Sequence, residues 1–167
     1  MKKRRKFIAA SIVLCAVIFG WTMWWEMTPH WKEPTTRPAD NSLVGDYDFV
    51  RAPFRINVAS DSQLHLTILP DGSHVITVEK FTCFADWTGR PLISKEPPPR
   101  VISKGQGEWE ISNNPLGGWQ IGVLVHEKFE SSSFFMKIAF QDGKMLLAGP
   151  VGDPDNNEFV VYKQHKP

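Results

Sequence analysis

Hydrophobic and polar positions divide this chain of 167 residues into three regimes. Phe7–Trp25 (FIAASIVLCAVIFGWTMWW) is an uncharged apolar run of 19 residues. Residues 26–42 (EMTPHWKEPTTRPADNS) are mostly polar and interrupted by Pro29, Pro34 and Pro38. From Leu43 onward the apolar positions recur with a period of two, the signature of half-buried strands.

A helix of 19 residues rises roughly 28 Å, close to the ~30 Å hydrocarbon thickness of a bilayer. In lipid only internal hydrogen bonding satisfies the backbone, so this run predicts one transmembrane helix over 7–25. Lys2, Lys3, Arg4, Arg5 and Lys6 precede it, and no acid occurs before Glu26. That asymmetry predicts a cytoplasmic tail (1–6) and a C-terminal side that crosses. Trp21, Trp24 and Trp25 cluster at the far end, the headgroup depth that indole rings favour. A cleaved signal peptide would have a shorter apolar region ending in small residues. Gly20-Trp21-Thr22 is a weak cleavage site, and Leu14 is bulky where a lipoprotein signal through Cys15 needs a small residue. The expectation is an uncleaved signal anchor in the cell membrane. The proline-containing stretch 26–42 then reads as an extended stalk.

The alternation beyond the stalk is most regular in Gln63–Leu69, where Leu64, Leu66 and Ile68 interleave with His65 and Thr67. Pro70-Asp71-Gly72-Ser73 supplies turn chemistry, and Val75–Glu79 completes a predicted hairpin. With that turn central, His74 is expected opposite Leu69 and His65 opposite Val78. Leu43–Val50, a weaker Arg55–Ala59, Gly107–Ser112, Gly118–His126, Ser133–Gln141, Met145–Ala148 and Glu158–Lys163 read as further strands, with a second hairpin turn at Asp142-Gly143. Residues 43–167 are therefore expected to form an extracytoplasmic, mainly β domain, periplasmic in a Gram-negative envelope. The architecture predicted is an antiparallel up-and-down β-barrel of about eight strands, since hairpin-length connections favour it over a sandwich. One connection is long and Pro-rich: Asp86–Arg100 (DWTGRPLISKEPPPR), a length typical of lids and binding loops.

Leu43-Val44-Gly45-Asp46-Tyr47 at the first strand resembles the Gly-x-Trp opening of lipocalins and related calycin-like barrels, with Tyr47 in place of Trp. The Asp-Gly hairpins and the final Phe159-Val160-Val161-Tyr162 strand are similar to small bacterial lipocalin-like domains. The closing-strand Arg of that family is absent. The resemblance implies a barrel over about 43–163 with room for an apolar ligand.

Charge narrows the partners. Beyond the five basic residues at the start, 14 basic face 18 acidic residues, a formal −4. A mildly acidic domain lacks the clustered Lys and Arg that phosphate backbones require, so nucleic acid is not an expected partner. The two cysteines, Cys15 and Cys83, lie in different regimes and cannot form a disulfide framework. Cys83 reads as a small buried hydrophobe, with an intermolecular disulfide as the weaker reading.

Candidate chemistry is sparse, and no cofactor is implied. Asp153, Asp155 and Asn157 alternate like the start of a calcium loop, but Glu158 stands where the turn Gly belongs and Gln164 where the bidentate Glu belongs. His126-Glu127 lacks the second His of a zinc helix and ends a strand. His65 and His74 are expected too far apart to share a metal. Ser131, Ser132, Ser133 and Cys83 have no glycine-flanked elbow, so the chain does not read as an enzyme. Two readings remain: a non-catalytic interaction module with a protein partner in the cell envelope, or a barrel that binds an apolar small molecule or lipid. For the second, Trp87 is the candidate anchor in the 86–100 loop, with Arg90 and Arg100 for a polar or acidic head.

Overall fold

Eight strands form where the alternation is sharpest. The computed structural model describes residues 31–53, 56–83, 100–114, 117–126, 131–151 and 159–165, without the side chains of Cys83 and Arg100. The strands are β1 (Gly45–Arg51), β2 (Gln63–Ile68), β3 (His74–Cys83), β4 (Arg100–Asn113), β5 (Trp119–His126), β6 (Ser131–Gln141), β7 (Lys144–Pro150) and β8 (Phe159–Gln164), after a single helical turn, α1 (Asp40–Leu43). Each pairs antiparallel with the next, and β8 returns to β1, closing the barrel in sequence order. Closure removes the unpaired edges that an open sheet would present.

Three expectations change. Of the expected strand Arg55–Ala59, the described residues Ile56–Ala59 form no strand and lie in the β1–β2 connection, where the Ile56 N–H donates to the Pro53 carbonyl. Arg100 is no longer loop but opens β4, which at 14 residues is far longer than Gly107–Ser112. The first hairpin is shifted by one: Ile68 faces His74 and His65 faces Thr77. Its loop is Leu69–Ser73, closed by the Leu69 N–H on the Ser73 carbonyl, with Gly72 at φ +87°. Five loop residues set this register, and a one-residue change in loop count moves every cross-strand partner.

Side chains that point inward fill the barrel. Leu64, Leu66, Ile76, Val78, Ile102, Ile121, Val123, Val125, Met136, Ile138 and Leu147 are all buried. One end is plugged by α1. Leu43 is fully buried there, and Tyr47, also fully buried, donates its hydroxyl to the Leu43 carbonyl at 2.8 Å. At the end of β8 the Gln164 amide donates to the Ser42 and Val44 carbonyls at 3.2 and 2.9 Å. Gly45, at φ +141°, lets the chain turn from α1 into β1 against that Gln164 side chain.

A second apolar cluster lies on the outside of β6, β7 and β8: Ala139, Leu146, Ala148, Phe159 and Val161. Trp31 packs on it, edge-on to Phe159 at 5.4 Å, with the Arg51 guanidinium 5.7 Å from the indole. Lys32 exchanges both backbone hydrogen bonds with Phe140 of β6, and Glu33 pairs with Lys137 at 3.5 Å. Of the expected stalk, residues 31–33 are thus laid on the barrel. Residues 31–167 cluster as one unit; residues 1–30, with the expected membrane helix at 7–25, lie outside the described residues. Among the described residues no helix is long and apolar enough to cross a membrane.

Candidate functional site

The barrel interior decides whether a ligand can be held inside. An eight-stranded barrel is just wide enough either to be filled by side chains or to hold one small ligand. Here aromatic rings fill it at the end opposite α1. Phe134 stacks on Phe81 at 4.9 Å, Phe81 stacks on Tyr162 at 5.3 Å, and Phe49 meets Tyr162 edge-on at 6.2 Å. The Tyr162 hydroxyl is tied to Ser62 at 2.9 Å, and Ser62 is itself fully buried. Beside this stack remains a void of about 20 Å³, bordered by Phe81, Phe134, Met136 and Tyr162. That is room for a water molecule, far below the ~300–1,000 Å³ of small-molecule sites.

A larger concavity lies on the outer surface. A groove of about 560 Å³ starts at Gly72–His74 and crosses β4 and β5 to β6. Alternation places Glu108 and Glu110 of β4, Gly122 and Leu124 of β5, and Ser133 and Phe135 of β6 on this face. Cross-strand partners are Glu108 with Leu124 and Leu124 with Ser133, and, in the next row, Glu110 with Gly122 and Gly122 with Phe135. Gly122 makes the recess: a Cβ there would sit 3.0 Å from the Phe135 ring. Leu124 and Phe135 remain 38% and 39% exposed, among the few large apolar side chains left in solvent. At the rim His74 lies 4.4 Å from Trp109, ring to ring, and its Nε2 is 3.3 Å from Asp40. Trp109 itself is core, as its strand position implies; its indole N–H reaches the Val75 carbonyl at 3.0 Å and the Thr67 carbonyl at 3.3 Å.

One arrangement has the outline of a catalytic relay. On the outer face of β1 and β2, His65 Nδ1 is 2.6 Å from Asp46 and His65 Nε2 is 2.6 Å from the Thr67 hydroxyl. An acyl-transfer site also needs donors aimed at a developing oxyanion. The backbone N–H groups of a paired strand lie in the sheet plane, and none points along the outward Thr67 hydroxyl. Asp46 and His65 are moreover open to solvent, 72% and 45% exposed. We read the three as a surface hydrogen-bond chain.

The candidates named from sequence fall unevenly. Trp87 and Arg90 lie outside the described residues, as do 127–130 and the calcium-like turn at 152–158. Arg100 pairs with Cys83 at the start of β4, its side chain undescribed. His65 and His74 are engaged separately, and among the described residues no three His, Cys, Asp or Glu side chains converge on a metal position. The groove was not singled out from sequence. Its signal was present: Phe135 falls on the outward phase beside inward Phe134, and Glu108 and Glu110 share one face.

Neither a protein-family profile nor a curated protein matches this sequence. Among solved structures the chain is similar to insecticyanin from the tobacco hornworm Manduca sexta, at 9% identity and a TM-score of 0.45. The match covers 80% of this chain and 65% of that one, less than two thirds of its length. Likeness at this level adds no weight of its own. Eight antiparallel strands joined in sequence order, with β8 closed on β1 and a helical turn plugging one end, are a lipocalin-like barrel by fold.

Proposed function

We propose that this protein is a non-catalytic interaction module, held at the outer side of the cell membrane by its 7–25 segment, which binds a protein partner of the envelope through the outside of its barrel. The observation that carries this is the contrast of volumes. The void beside the Phe81, Phe134 and Tyr162 rings is about 20 Å³, whereas the outer groove offers about 560 Å³ with exposed Leu124 and Phe135. Packed interiors resist opening, because separating the stacked Phe134, Phe81 and Tyr162 rings forfeits their contacts.

The second reading, an apolar small molecule or lipid bound inside, draws on one feature. The small void lies at the end from which the β1–β2, β3–β4, β5–β6 and β7–β8 connections leave, the β3–β4 connection carrying Trp87 and Arg90. Titrating the protein with a panel of lipids and apolar dyes separates the two readings. No saturable binding that perturbs Phe81, Phe134, Met136 or Tyr162 is expected. A one-to-one ligand that shifts those residues would replace the interaction reading with the internal one. For topology, a reporter fused after Pro167 should be active only outside the cytoplasm; cytoplasmic activity would refute the N-in anchor.

A further inference from the structure

We propose that the groove across β4, β5 and β6 takes a short extended segment of a partner protein in which a lysine or arginine stands two positions from an aliphatic or aromatic side chain, so that both face the groove. This deepens the outer-surface reading above and rests on it. The charge comes first. Glu108 and Glu110 are two positions apart on one strand, so their carboxylates project from the same face and repel one another. Among the described residues neither is ion-paired, and no Lys or Arg borders the groove. A cation laid between them would relieve that repulsion. The same carboxylates disfavour phosphate and anionic headgroups.

The apolar half lies one and two strands away. Strands are about 4.8 Å apart, so the path from β4 to β6 is roughly 10 Å, the span of about three extended residues. From one side to the other it presents two carboxylates on β4, then Leu124 beside the recess at Gly122 on β5, then the Phe135 ring on β6. A residue seated on Leu124 and Phe135 therefore has the basic residue two positions away, roughly 7 Å along the segment, over Glu108 and Glu110. Moving the basic side chain one step toward β6 places it over the Phe135 ring, where a cation is also attracted. A groove of about 560 Å³ accommodates side chains of that size. Complementary charge at such a site sets orientation and excludes acidic competitors.

The test uses the full chain, ¹⁵N-labelled in a mild non-ionic detergent, titrated with the capped peptide Gly-Lys-Ser-Phe-Ser-Lys-Gly, whose lysines share a face with the phenylalanine when extended. Two control peptides replace both lysines by glutamate, or the phenylalanine by glycine. Saturable shifts are expected at the amides of Gly122, Leu124 and Phe135. Affinity should fall about tenfold with either control peptide and with the Glu108→Gln/Glu110→Gln protein, and should weaken with salt. Both glutamates are exposed, so that protein should melt as the wild type does, and Glu79→Gln on β3 should bind normally. If the double variant failed to fold, the control peptides would still decide. Equal binding of the glutamate peptide, shifts confined to another face, or no shifts at all would overturn the proposal. None of these outcomes touches the outer-surface reading, which fails only if an apolar ligand perturbs Phe81 and Phe134 inside.

Discussion

Replacing Tyr47 by phenylalanine removes one oxygen from the plug of the barrel and leaves its shape intact. The lost contact is the 2.8 Å hydrogen bond to the Leu43 carbonyl, at a residue with no solvent exposure. Removing one partner of a buried pair leaves the other unsatisfied, so the expected cost is about 2 kcal/mol. For a domain near 130 residues that corresponds to a fall in Tm of roughly 6–8 °C. The same phenol predicts a pH dependence. Burial raises the Tyr47 pKa well above its ordinary 10.0. A raised folded-state value means the native state retains the proton, so the contribution is whole below pH 10 and lost as the pH climbs beyond it. The unfolded phenol ionises while the buried one does not, which costs the wild type about 1.4 kcal/mol by pH 11. The Tyr47→Phe protein has no group to titrate there, so the gap between the two proteins should shrink from about 2 kcal/mol at pH 8 to below about 1 kcal/mol at pH 11. Urea melts followed by tryptophan fluorescence at both pH values measure this. Adding Gln164→Leu tests the shared target, since the Gln164 amide holds the same α1 turn through Ser42 and Val44. The double variant should show a coupling of more than about 0.5 kcal/mol. A Tyr47→Phe protein within about 0.5 kcal/mol of wild type at pH 8, or a gap unchanged at pH 11, would refute the plug as described.

Two other perturbations probe the scaffold. Gly107→Ala should destabilise the barrel by about 3 kcal/mol or more in a urea melt, because the new Cβ would sit 1.8 Å from the Leu124 carbonyl oxygen, a main-chain atom that cannot rotate away. A fragment beginning at Trp31 should exceed one beginning at Asn41 by about 2 kcal/mol in the same assay, since the shorter form uncovers Phe159 and the outer β6–β8 cluster; equal stabilities would show that Trp31 contributes nothing.

The period-two pattern was sufficient for the strands themselves. Leu64/Leu66, Ile121/Val123/Val125 and Phe134/Met136/Ile138 point inward as their spacing requires, because alternation is a property of the extended backbone and needs no partner. Gly45 and Tyr47 were legible at the entry to β1 for a similar reason: a short motif carries its own turn. Arg55–Ala59 was misread because a few apolar residues at that spacing also suit a loop whose side chains, such as Val58, pack on the core. What required the tertiary structure was everything that depends on distance through space. The one-residue shift that seats His65 opposite Thr77 follows from how the five-residue loop closes. Residues 31–33 leave the stalk because β6 offers Phe140 as a free backbone partner and the outer cluster offers Trp31 a surface. Whether the aromatics left a cavity could not be read from their number, since filling depends on how Phe134, Phe81 and Tyr162 stack across three strands distant in sequence. The groove arises the same way: Glu110, Gly122 and Phe135 are ordinary residues apart, and register alone sets a carboxylate, a recess and an exposed ring in one row.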